Sequence, residues 1–110
     1  VLSALRLALV ERTRLAVTLG YGPRFLHSTG QLHKGDSGNG FFLQITGEHP
    51  RDIAIPEEAG DRTSSMTFGV LIDSQALGDA QALRDNQRQV LRLHLLRDTV
   101  SALTQIVQSI

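Results

Sequence analysis

Cysteine is absent from the 110 residues, which excludes disulfides and thiolate zinc sites. Net charge is absent too. Eleven basic and eleven acidic side chains cancel, without the basic excess that marks a nucleic-acid surface. No apolar run approaches the roughly 20 residues that span a bilayer, so a membrane partner is not expected. Val1 to Val10 is apolar, but Arg6 interrupts it and no small-residue cleavage site follows, against a signal peptide. Lack of cysteine fits a cytoplasmic setting. Lysine occurs once, at Lys34. The length suits one domain or a piece of one. Because the chain starts with Val inside a helical pattern, residues 1–110 are read as a subdomain fragment of a larger protein.

What the chain does have is a dense run of small and titratable residues. Gly20-Tyr21-Gly22-Pro23-Arg24-Phe25-Leu26-His27-Ser28-Thr29-Gly30-Gln31-Leu32-His33-Lys34-Gly35-Asp36 holds two of the four histidines, the lysine and four glycines. Such a run is poor core material and plausible material for binding a polar substrate.

Around it the periodicities alternate. Leu2, Leu5, Leu9, Ala16 and Leu19 predict a helix over 2–19, ended by Gly20 and packing one face on a sheet. Pro23 suits the first turn of a second helix over 24–33, which Gly30 weakens. Asp36 to Gly40 is a turn, and Phe41 to Thr46 is aromatic and β-branched, as in a strand. Residues 47–65 form a polar loop whose Ile53-Ala54-Ile55 is expected to touch a sheet edge. Thr67 is an N-cap for a helix carrying Val70, Leu71, Ser74 and Leu77, which Gly78-Asp79 breaks and recaps through about Asn86. Val90 to Leu95 alternates, placing Leu91, Leu93 and Leu95 on one face and Arg92 and His94 on the other. Asp98 or Thr99 opens a last helix striped by Val100, Leu103, Ile106, Val107 and Ile110. Strands separated by helices predict an α/β fold with a partial parallel sheet flanked by helices. Two strands make a poor sheet, so an apolar edge and face are expected to favour self-association into homo-oligomers.

Several chemistries are disfavoured by context, among them a metal-dependent hydrolase using His27 and His33. Gly35-Asp36-Ser37-Gly38 matches the nucleophile segment of trypsin-like proteases, but a short α/β chain cannot supply their two barrels. The same glycine-rich turn lacks the Lys-Ser/Thr pair of a phosphate-binding loop, and a strand follows instead of a helix. His27 and His33 are six apart, not the i, i+4 spacing that aims two imidazoles at one metal. His94 reads as a strand residue, and His33 and Lys34 as the solvated cationic end of a helix.

The residues around His27 resemble the active-site helix of glucose-6-phosphate isomerases. A glycine-rich lead-in precedes His27, then Gln31-Leu32 and His33-Lys34-Gly35 follow, with one residue fewer between the histidines than the common version. The whole run 20–35, with Phe41 to Thr46, Thr67 to Leu71, Gln75 to Asp79 and Val90 to Leu95 in order, resembles bacterial transaldolase/glucose-6-phosphate isomerase fusions. The resemblance implies a three-layer, sugar-isomerase-like (SIS-like) subdomain that interconverts glucose 6-phosphate and fructose 6-phosphate, without cofactor or metal. It implies His27 as the ring-opening acid/base, for which an imidazole is chemically suited. Gln31 and Lys34 are the substrate-binding candidates. The proton-shuttling glutamate, the phosphate cradle and the transaldolase lysine match no segment here and are expected in preceding portions. The family's C-terminal lysine has no matching segment either, and the resemblance leaves open whether Lys34 replaces it. The alternative is a non-catalytic module for dimerisation or sugar-phosphate binding. The 110 residues alone are expected to show no isomerase activity.

Overall fold

The protein was analysed as a computed structural model, which describes residues 1–96 and 98–110. Helix α1 spans Leu2–Thr13, strand β1 Phe41–Gly47, helix α2 Phe68–Asp85, strand β2 Gln89–Leu95 and helix α3 Thr99–Ser109. Between α1 and β1 lie two short 3-10 helices, Arg24–His27 and Thr29–Lys34. The order and the mixed α/β class agree with the periodicities.

The strands pair in parallel, Phe41 opposite Gln89 through Gly47 opposite Leu95. Side chains alternate across a sheet, so this register puts Phe42, Gln44, Thr46, Val90, Arg92 and His94 on one face. Leu91, Leu93 and Leu95 share the other, as their alternation predicts. Gln44 fixes which face meets α2. Its amide donates to the Ala76 carbonyl at 2.9 Å and its oxygen accepts from Arg92 Nε at 2.7 Å. Helix α2 thus covers the more polar face of the sheet, with Gln44 satisfying groups that burial would otherwise strand.

The caps explain where the later helices begin. Thr67 Oγ1 accepts from the Val70 N–H at 3.2 Å, and Asp98 Oδ1 accepts from the Ser101 N–H at 3.2 Å. Each cap satisfies one orphan donor, a contribution of about 1 kcal/mol.

Five expectations are corrected. The first helix ends at Thr13 rather than at residue 19. Thr13 Oγ1 donates to Leu9 O at 2.7 Å and accepts from Leu15 N at 3.2 Å, while Arg14 closes the helix at φ 60°. The β-branched Val17 and Thr18 beyond it favour no continuation. This helix also packs chiefly on α3 instead of the sheet. The second helix is not α-helical over 24–33. It is two 3-10 helices hinged at Ser28, whose hydroxyl donates to Arg24 O and Phe25 O at 3.0 and 3.2 Å. Gly78-Asp79 does not break α2, which runs through both. A mid-helix glycine costs only about 1 kcal/mol, and Asp79 is held by other contacts than a cap. Finally, Ile53-Ala54-Ile55 pairs with the lead-in to α2 and not with the sheet. Ala54 bridges Thr67, Ile55 N donates to Met66 O and Phe68 N to Ile53 O, both at 2.9 Å.

The core is thin. Among the described residues the buried apolar ones are Leu5, Ala80, Leu83 and Leu103, whereas Phe41 and Leu91 are 64% and 48% exposed. The radius of gyration, 16.2 Å, exceeds the roughly 13 Å usual for a domain of this length. An apolar strip therefore lies open on the face of the sheet away from α2.

Candidate functional site

Helix α2 buries Asp79, Ala80 and Leu83 on one face, which is i, i+1, i+4 spacing. Asp79 is the one buried charged residue among those described, 4% exposed. A carboxylate so placed is stable only with partners. The run 20–36 provides them. Lys34 Nζ donates to Asp79 Oδ1 at 2.7 Å, and His27 Nε2 lies 3.6 Å from the same oxygen. The shorter contact is a direct charge-assisted hydrogen bond. The longer one exceeds hydrogen-bond length and becomes an ion pair when the imidazole is protonated.

Two of the three residues nominated from sequence thus meet at one buried carboxylate. Lys34, expected as a solvated helix end, is 21% exposed and engaged, while His27 is 57% exposed. Gln31 stands apart from them. With Ser28, Leu32, Gly35 and Asp36 it lines an open depression of about 550 Å³ whose lining includes neither His27 nor Lys34.

The segment is shaped by packing from within and beside it. A Cβ at Gly30 would sit 2.6 Å from Phe25 Cδ1 and 2.9 Å from Phe25 O, so the close approach requires glycine. The His33 ring lies between Phe25 and Phe42, at centroid distances of 6.2 and 5.4 Å. It therefore packs against the sheet. Its Nδ1 is 3.6 Å from Asp36 Oδ2. The Gly38 N–H, above all, holds the Asp36 carboxyl below its usual value, and His33 and Arg88 act in the same direction against burial.

Sequence reasoning missed Asp79 and Arg88. Asp79 carried a usable signal, an acid four residues before Leu83 on the apolar face of a helix. Nothing local marks Arg88, whose partners are up to 55 residues away.

A second titratable cluster lies at the start of α2. Asp52 Oδ1 accepts from Ile53 N and Gly69 N, both at 2.8 Å, and Asp52 Oδ2 accepts from Thr67 Oγ1 at 2.6 Å. These bonds, the Thr67 hydroxyl first, hold its carboxyl below the usual value. His49 Nε2 pairs with Asp73 Oδ1 at 3.0 Å, a hydrogen bond that raises the imidazole above its ordinary value. The cluster clamps the 48–67 loop to α2. Among the described residues no group of three His, Cys, Asp or Glu side chains could hold a metal ion.

Comparison with protein-family models, with curated proteins and with solved structures yields no match to this chain.

Proposed function

We propose that the chain contributes part of a sugar-phosphate aldose–ketose isomerase site, interconverting glucose 6-phosphate and fructose 6-phosphate. In this reading it belongs to a transaldolase/glucose-6-phosphate isomerase fusion, and His27 is the ring-opening acid/base. The observation that carries it is the convergence of His27 and Lys34, both from the signature run, on buried Asp79.

Ring opening needs a proton delivered to the ring oxygen as its bond to the anomeric carbon breaks, while the anomeric hydroxyl gives up its proton as the carbonyl forms. His27 is exposed enough to reach a sugar, and Asp79 presents a negative oxygen toward its Nε2. That contact turns the Nε2 edge of the ring toward α2. Lys34 holds the Asp79 oxygen in place. The base that moves hydrogen between C1 and C2 belongs to another part of the protein.

The alternative is a non-catalytic module for sugar-phosphate binding or dimerisation. In either reading the Lys34 charge is already matched by Asp79 at 2.7 Å, so Lys34 by itself offers a phosphate no uncompensated cation. Incubating the intact protein with fructose 6-phosphate separates the two readings. Formation of glucose 6-phosphate supports isomerisation. Saturable binding without turnover selects the module and removes the catalytic reading.

A further inference from the structure

We propose that Arg88 is the positioning residue that seats the His27–Lys34 segment over Asp79, an inference whose kinetic consequence rests on the isomerase reading. Arg88 stands where α2 turns into β2. Its N–H donates to the carbonyl of buried Leu83 at 2.9 Å, just after Gln87 turns the chain at φ 61°. Its backbone is therefore fixed to the same helix face that carries Asp79. Its guanidinium, 10% exposed, reaches back to the signature run.

Every nitrogen of that guanidinium is used. Nε donates to His33 O at 3.1 Å, Nη1 to Asn86 O at 2.6 Å and Nη2 to Asp36 O at 2.6 Å. Nη2 also lies 3.2 Å from Asp36 Oδ1. His33 and Asp36 flank Lys34, so the fork grips the backbone on both sides of the residue that holds Asp79. The segment is thus anchored twice, by Lys34 on Asp79 of α2 and by its main chain on Arg88 just beyond that helix. A 3-10 segment with few internal hydrogen bonds gains its fixed geometry from such anchors. An ammonium at position 88 could pair with Asp36 but could not span divergent carbonyls as a planar fork does.

The role is to place other groups, since Arg88 touches the His27 side chain in none of these contacts. Arg88→Ala and Arg88→Lys in the intact protein test it, with amide hydrogen exchange and steady-state turnover of fructose 6-phosphate read together. Exchange of amides 28–35 should speed up by about tenfold or more in both variants, while β1 and β2 amides keep their protection. The turnover number should fall by about 10- to 100-fold with little change in KM, as misplacement of a reacting group predicts. Methylguanidinium should restore part of the turnover of Arg88→Ala and none of that of Arg88→Lys. Unchanged exchange at 28–35, an equal loss of protection across the sheet, or undiminished turnover would each overturn the proposal. A wild-type protein that binds but does not isomerise sinks the isomerase reading, and the exchange pattern alone then decides the role of Arg88.

Discussion

Lys34 and Asp79 form a 2.7 Å ion pair across 45 residues of sequence, tying the glycine-rich run to the middle of α2. Among the described residues it is the single direct side-chain hydrogen bond to a carboxylate that is 4% exposed. Removing the lysine leaves a buried anion poorly compensated, which costs more than the pair itself gains. Asp79→Asn and Lys34→Met should each lower stability by about 1.5–3 kcal/mol, the range for hydrogen bonds to charged groups. The double variant should lose less than the sum, by about 0.5–3 kcal/mol of coupling. Chemical denaturation of the four proteins measures that difference. Additive losses would mean that the contact does not hold the segment.

Two glycines should respond in opposite directions. A Cβ at Gly30 meets the Phe25 ring, whereas a Cβ at Gly78 meets nothing within 4 Å. Gly30→Ala should destabilise by about 1–3 kcal/mol, as overpacking does. Gly78→Ala, inside the continuous α2, should stabilise by about 0.5–1 kcal/mol. Thermal unfolding of both reads the signs. Destabilisation by Gly78→Ala would indicate that α2 is interrupted there after all.

The loop clamp at His49 should be pH-dependent. Hydrogen bonding to Asp73 raises the folded imidazole above 6.5, with Asp52 adding a weaker attraction in the same direction. A group whose folded value is raised contributes fully below its unfolded value, and that contribution fades as pH climbs through the folded value. His49→Gln should therefore be less stable than wild type at about pH 5.5 and nearly equal to it at about pH 8.5. Melting curves at both pH values check this. A gap that widens toward alkaline pH would reverse the assignment.

These relationships also show what the sequence could reveal. Both strands, the Thr67 and Asp98 caps and the parallel pairing follow from local patterns, because alternation and capping act over a few residues. The 3-10 geometry of 24–34 did not, since it depends on Gly30 lying against the Phe25 ring and on Arg88 gripping distant carbonyls. Likewise Gly78-Asp79 has the composition of a helix break. Tertiary contacts override it, because Lys34 engages the Asp79 carboxylate that a recap would have used. In the site, His27 and Lys34 were legible as residue types in the glycine-rich run, and their shared partner was not. A partner 45 residues away leaves no periodic trace.

In the proposed isomerase reading, His27 opens the sugar ring. Its most direct test is His27→Ala in the intact protein, assayed with cyclic and with open-chain substrate. A fall of about 10²- to 10⁴-fold on the cyclic sugar is expected, with open-chain isomerisation and transaldolase activity retained. Wild-type isomerisation of the cyclic sugar by that variant would contradict it.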